Sequence, residues 1–227
     1  GVQTCALPIF NCWMPANICQ RFTGSRIAAF STGNVYPLTS PGSGGSVETD
    51  PLSPVGEYAA SCVGRERMYD YFSRSVGTKV SLLRLNYACE LRYGVLVDLA
   101  QKVQAGEPID LTMGHVNVIW QGAANMQALL ALPRAASPPL VVNIAGPNIL
   151  SVRTLATDFG KLLGKPPIFC GTEGATSLLS NSQLAQGLFS PPQVSVSTLY
   201  QWTADWLSRG GELLNKPTKF QVTDGKF

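Results

Sequence analysis

Histidine and patterned cysteine are what this chain of 227 residues has least of. A lone His115 and six scattered cysteines (Cys5, Cys12, Cys19, Cys62, Cys89 and Cys170) leave no Cys-x-x-Cys pair. That pattern excludes a zinc site and a disulfide framework, and it points to free, mostly buried thiols in a reducing cytoplasm. His115 has no acidic or thiol partner pattern and reads as a surface or strand-end histidine. Charge is scarce as well: 14% of residues are charged, the net charge is +3, and no Lys/Arg run concentrates it. Nucleic acid is therefore not an expected partner. No apolar run reaches the roughly 18 residues that a bilayer-spanning helix needs, so no membrane partner is expected.

What is present is an apolar-rich globular chain, 45% hydrophobic. Its length suits one sizeable core, or a domain with an appended lobe. The first nine residues, Gly1 to Ile9, lack the basic and apolar regions of a signal peptide. They resemble the translation of a sequencing-adapter oligonucleotide, so positions 1–9 are expected to be an assembly scar, with the true protein continuing upstream of about Phe10.

Period and punctuation divide the rest. Residues 11–24 read as the remnant of a helix. Arg26 to Ser31 is a short apolar run ending in hydroxyls, the pattern of a buried parallel strand. Pro37 to Pro54 is rich in Pro, Gly and Ser and reads as loop. A helix is expected from Tyr58 to about Ser75, a second buried strand over Lys79–Leu85, and a helix over Gly94–Ala105. Strand, helix, strand makes a βαβ unit and implies a parallel sheet. Short strands follow at Ile109–Leu111 and Val116–Ile119, a helix at Gly122–Leu132 and a strand at Leu140–Gly146. A helix then opens on Ser151 as N-cap and closes at Gly164. Pro166–Cys170 reads as an edge strand. Ser197–Ser208 carries Leu199, Trp202, Trp206 and Leu207 at helical spacing, which assigns both tryptophans to the core. Leu213 to Phe227 reads as a polar tail wrapping the surface, and no internal repeat is visible.

The helix at Tyr58 organises the whole. Tyr58, Cys62, Arg65, Tyr69 and Phe72 fall along one stripe, which spacing alone reads as an amphipathic core helix. Upstream, Ser31-Thr32-Gly33-Asn34-Val35-Tyr36 sets small hydroxyls at a strand end, where a phenol at a helix start would find a partner for proton transfer. The separation of Thr32 from Tyr58, the order of elements, Arg84-Leu85-Asn86 at the next strand end and Asn143-Ile144-Ala145-Gly146 followed by Ser151-Val152 together resemble the extended short-chain dehydrogenase/reductase family. These are the NAD-dependent epimerases and dehydratases of nucleotide sugars, and the resemblance covers roughly residues 20–210.

That resemblance implies an α/β fold: a Rossmann-like parallel sheet, partial because its first strands are missing, with a small C-terminal substrate lobe. Residues 10–150 would be the later part of the Rossmann-like domain, and 151–227 the substrate lobe and tail. Tyr58 would be the general acid/base and Thr32 would hydrogen-bond the reacting sugar hydroxyl. Phe30, Ser31, Tyr58 and Leu85 would contact NAD or NADP, while Thr32, Gly33, Asn34 and Asn86 would contact a sugar or nucleotide-sugar. Members often pair as homodimers through the Tyr-bearing helix, for which Met68, Tyr71 and Phe72 are suited, as they are for a core.

Two departures stand beside it. The family's Tyr-x-x-x-Lys lysine, which lowers the phenol's pKa from its usual ~10, is replaced by Cys62. A thiol supplies no fixed positive charge. Arg65, further along the stripe, could bring a guanidinium near, but its ordinary reading is a solvated helix charge, and Arg does not replace Lys like for like. Second, no G-x-x-G-x-x-G phosphate-binding turn is present, which agrees with N-terminal truncation. A non-catalytic module that binds a dinucleotide or sugar is the alternative reading.

Overall fold

The computed structural model describes residues 6–190 and 194–225. Positions 1–5 of the expected scar, and the last two residues of the tail, lie outside the described residues.

In chain order, a short helix α1 (Met14–Arg21) leads into strand β1 (Arg26–Thr32), a long loop, helix α2 (Gly56–Val76) and strand β2 (Lys79–Leu85). Then come β3 (Ala88–Cys89), α3 (Val95–Ala105), β4 (Pro108–Asp110), β5 (His115–Val116), β6 (Ile119–Trp120) and α4 (Gln121–Ala131). The chain continues with β7 (Leu140–Ile144), β8 (Leu150–Ser151), α5 (Val152–Leu163), β9 (Ile168–Cys170), α6 (Gln183–Phe189) and α7 (Val196–Ser208).

The central sheet runs β1-β2-β7, all parallel. Continuous apolar strands need cover on both faces, and both are covered here. Ala29, Val80 and Leu82 pack with Tyr69 of α2 and Cys19 of α1. On the other face Leu83, Val142 and Ile144 pack with Ala123, Ala124 and Ala131 of α4 and with Phe189 of α6. The register sets Thr32 beside Leu85 and Leu85 beside Ile144, so the carboxyl ends of three strands lie level. In open parallel sheets that edge is where ligands bind. This is a partial Rossmann-like α/β fold.

A second hydrophobic core forms where α3, α5 and α7 bury Leu96, Leu99, Val103, Leu155, Phe159, Leu199 and Leu207. Helix α5 has the expected ends: the Ser151 hydroxyl accepts from the Thr154 amide at 3.3 Å, and Gly164 takes a left-handed φ of 69°. Gly146, just past β7, is required sterically. A Cβ there would stand 1.9 Å from the Val118 carbonyl oxygen.

Four expectations are corrected. The expected strand Val116–Ile119 is two short pieces, because Asn117 turns inward between them, accepting from the Asn86 amide at 2.9 Å and donating to the Ser180 carbonyl at 2.5 Å. Trp202 is not core: it is 43% exposed and meets Trp120 edge-on, while Leu199, Thr203, Ala204 and Leu207 form the buried stripe of α7. The tail does not merely wrap the surface. Phe220 is 2% exposed within the second core, and the Thr218 amide and hydroxyl both donate to Asp98 Oδ2, at 2.8 and 2.5 Å. Arg65 is not a solvated helix charge but is hydrogen-bonded to β1, as described below.

Candidate active site

Helix α2 opens at Gly56, whose φ of 82° is left-handed, and where the backbone of Gly225 from the tail packs so closely that a Cβ would stand 2.4 Å from its carbonyl oxygen. That start places Tyr58 in the first turn, half-buried, facing the end of β1. The side chains of Thr32 and Cys62 stand close enough to its phenol to act on its ionisation. Thr32 Oγ1 accepts from the amide and side chain of Asn34, at 3.2 and 3.1 Å, and caps the short turn of Gly33–Val35. Thr32 and Tyr58 thus lie beside each other at the end of β1 and the start of α2.

A cavity of about 370 Å³ opens beside this pair, lined by Asn34, Tyr58, Leu85, Tyr87, Ala88, Tyr93, Val95, Thr218 and Phe220. It is mostly aromatic and aliphatic with a few polar atoms, the make-up of a small-molecule site. Tyr58, Asn34 and Leu85 line it, and Thr32 touches it through Tyr58. The other expected site residues lie apart. Asn86 is 2% exposed and donates to Asn117, Ser31 donates from within the sheet to Glu66 Oε1 at 2.5 Å, and Gly33 packs against Asn86 and Ser180. Phe30 is 39% exposed, and its carbonyl is taken by Arg65.

Beneath the site lies a feature the sequence reading missed. Glu66 and Arg84 are 6% and 5% exposed and form a two-pronged pair, Nε–Oε1 at 3.0 Å and Nη2–Oε2 at 2.8 Å. Arg84 Nη1 donates to Tyr36 Oη at 2.6 Å and to the Glu48 carbonyl at 3.0 Å, and Tyr36 Oη donates to Asn143 Oδ1 at 2.9 Å. One buried network thus ties α2 to the ends of all three strands and to the long loop. The one signal in the sequence was Arg84 within an apolar strand, a buried charge that must find a partner.

Burial pushes the Tyr58 phenol above its ordinary range, and the Cys62 thiolate would add to that; the Thr32 hydrogen bond and the Arg65 guanidinium pull it back. Burial also raises the Cys62 thiol, against the opposing pull of Arg65. The deeper thiols of Cys19 and Cys89 are pushed up to about 11 and about 12 by burial. Each of these acids keeps its proton to higher pH in the folded chain than in the unfolded one. The unfolded state then binds fewer protons once pH passes the ordinary thiol value of 9.0, so stability is unaffected below that value and falls as pH rises above it. The urea midpoint is expected to hold up to ~pH 9 and to drop from there toward ~pH 11, and a flat profile would show that these thiols and phenols are not buried.

An α/β chain with a Tyr–Thr pair at the carboxyl edge of a parallel sheet, facing an apolar cavity, belongs to the Rossmann-like architectures. Solved structures place the fold more narrowly. UDP-glucose 4-epimerase of Thermotoga maritima, solved with UDP-glucose, is similar over 88% of this chain and 70% of its own, with a TM-score of 0.72 and 16% identity. UDP-glucuronic acid 4-epimerase of Bacillus cereus, in complex with UDP-glucuronic acid and NAD, is similar over 88% of this chain and 67% of its own, with a TM-score of 0.73 and 15% identity. For the Thermus thermophilus UDP-glucose 4-epimerase complex with NAD the shares are 84% and 66%, the TM-score 0.67 and the identity 21%. The chain thus has the fold of these nucleotide-sugar epimerases. No protein-family model matches it, and no curated protein matches it in sequence.

Proposed function

We propose that the chain is the catalytic and substrate-binding part of an NAD(P)-dependent epimerase/dehydratase-like protein acting on a sugar or nucleotide-sugar. The observation that carries this reading is the cavity lined by Tyr58, Asn34 and Leu85 at the carboxyl edge of the sheet, with Thr32 beside Tyr58, in a fold whose solved neighbours include epimerases with UDP-sugars and NAD. The cavity residues suit the reacting end of a nicotinamide dinucleotide: Leu85 and the aromatic rings give an apolar wall, and Asn34 and Tyr58 give polar atoms.

When bound, the nicotinamide supplies the hydride acceptor and later the hydride donor. Thr32 orients the substrate hydroxyl toward Tyr58. Tyr58 would accept the proton of that hydroxyl at Oη and later return it to the same oxygen. Tyr87, Tyr93, Val95 and Phe220 exclude water. The protein would work in the reducing cytoplasm, as a homodimer through α2, whose Tyr71 and Val76 are 62% and 51% exposed. The second reading, a non-catalytic binding module, is favoured by Cys62, which is fully buried and brings no cation.

Turnover of the full-length protein tests both. Hydride exchange between nicotinamide and a nucleotide-sugar is expected, falling by roughly 10²–10⁴-fold in Tyr58→Phe, the scale of a lost general acid/base. Tight NAD binding with no exchange across a nucleotide-sugar panel would establish the module instead.

A further inference from the structure

The C-terminal tail separates two spaces. Thr218 and Phe220 line the cavity of about 370 Å³ beside Tyr58. Pro217, Lys219 and Gln221, which alternate with them, line a second cleft of about 670 Å³, shared with Val97, Gln101 and Lys102 of α3. Alternation of this kind belongs to extended backbone, so the tail here is a wall one strand thick. A segment that merely wraps a surface lies on packed side chains, whereas this one has open space on both sides. Its far end reaches the start of α2, where Gly225 packs on Gly56 just before Tyr58.

The attachment is localised. No strand among the described residues pairs with the tail. The Leu214 amide donates to the Arg92 carbonyl at 3.0 Å, and the Thr218 amide and hydroxyl converge on one oxygen, Asp98 Oδ2. Phe220 is the plug in the second core. Between these points the backbone passes through two left-handed residues that are not glycine, Asn215 at φ 52° and Lys219 at φ 53°. A lysine takes that conformation at a cost, which detachment of the tail returns.

We propose that residues 217–225 are a strap over the cavity beside Tyr58, latched by Asp98 and opening to admit the substrate. Release of Thr218 from Asp98 and withdrawal of Phe220 join the cavity to the outer cleft and leave α2 and α3 in place. Uncovering one aromatic side chain makes the open state a minor one, within the range of local openings that folded chains sample. Asp98 does not line the cavity, so it is a positioning residue that acts through the strap. That the admitted molecule is a substrate rests on the reading of this cavity as an active site; the opening itself does not.

The test needs no turnover. Ala88 lines the same cavity, and Ala88→Cys in the full-length protein places a thiol behind the strap with little change in volume. Its labelling by a bulky maleimide is followed by mass spectrometry at the level of fragment ions, with the parent protein as the measure for neighbouring Cys89. Adding Asp98→Ala cuts the latch and is expected to speed labelling at position 88 about tenfold or more, the effect on an opening equilibrium of losing a hydrogen bond to a charged group. Thr218→Val removes only the hydroxyl's bond, and it decides the matter if Asp98→Ala does not fold; there labelling should quicken several-fold. Amide exchange in the central sheet should not change in either variant, which separates release of the strap from general loosening. Labelling that is equally fast with the latch intact or cut overturns the proposal, as does labelling that quickens only together with exchange throughout the sheet. Hydride exchange is a separate readout: a strap that opens in a protein without turnover upholds the gate and refutes the enzymatic reading.

Discussion

Glu66→Ala is expected to destabilise the fold by on the order of 3–5 kcal/mol, the scale found when one partner of a buried ion pair is removed. A domain's whole stability is typically about 5–15 kcal/mol, so the variant should lose a large part of its urea midpoint or fail to accumulate. Arg84 would be left 5% exposed, with Tyr36 and a backbone carbonyl as its partners. Both are neutral, and neither compensates the charge. Ser31 would also lose its acceptor inside the sheet. The pair itself need not be net stabilising, because two desolvated charges replaced together by apolar groups often cost nothing. Glu66→Leu with Arg84→Met is accordingly expected to recover most of the loss, a non-additivity that two independent surface charges would not show. If Glu66→Ala melts with the parent protein, the network tying α2 to the strand ends does not exist as described.

The same residues mark the limit of what the sequence discloses. Strands β1 and β2 and helices α2 and α5 are legible because short apolar runs, helical spacing and end signals such as Ser151 and Gly164 agree with one another. So is the Tyr58–Thr32 pair, whose elements sit at adjoining ends of the βαβ unit. Glu66 was hidden because a charge at a helical position defaults to solvent, and only the placement of Arg84 on the neighbouring strand turns it inward. Arg65 was hidden in the same way, its partner being a main-chain carbonyl that leaves no mark in a sequence. Asn86 and Asn117 are a tertiary event: two amides 31 residues apart bond each other, which splits a segment that period alone would make one strand. The tail misleads because polar composition outweighs the one aromatic, Phe220, that anchors it.

Placing a lysine at position 62 by Cys62→Lys is expected to harm the fold without creating a relay. Cys62 is fully buried among Val35, Tyr36, Leu52, Tyr58 and Val63, and the cavity beside Tyr58 is not lined by it. The longer side chain must be accommodated where no space is open, which costs about 1–3 kcal/mol in packed cores. Its ammonium would be desolvated and would face the Arg65 guanidinium already positioned by Phe30 and Asn11, and both influences favour the neutral amine. A neutral amine lends the phenol no charge, so hydride exchange should not rise. Holding the amine neutral beside a guanidinium itself costs free energy, and this gives the cycle its sign: adding Arg65→Gln to Cys62→Lys should cost less stability than Arg65→Gln costs alone, because the second change eases the conflict that the first created. Equal costs in both backgrounds would mean that the charge of Arg65 is not felt at position 62. A stable Cys62→Lys protein with increased exchange would show that the helix already presents this position to the cofactor, and the burial drawn here around Cys62 would be wrong.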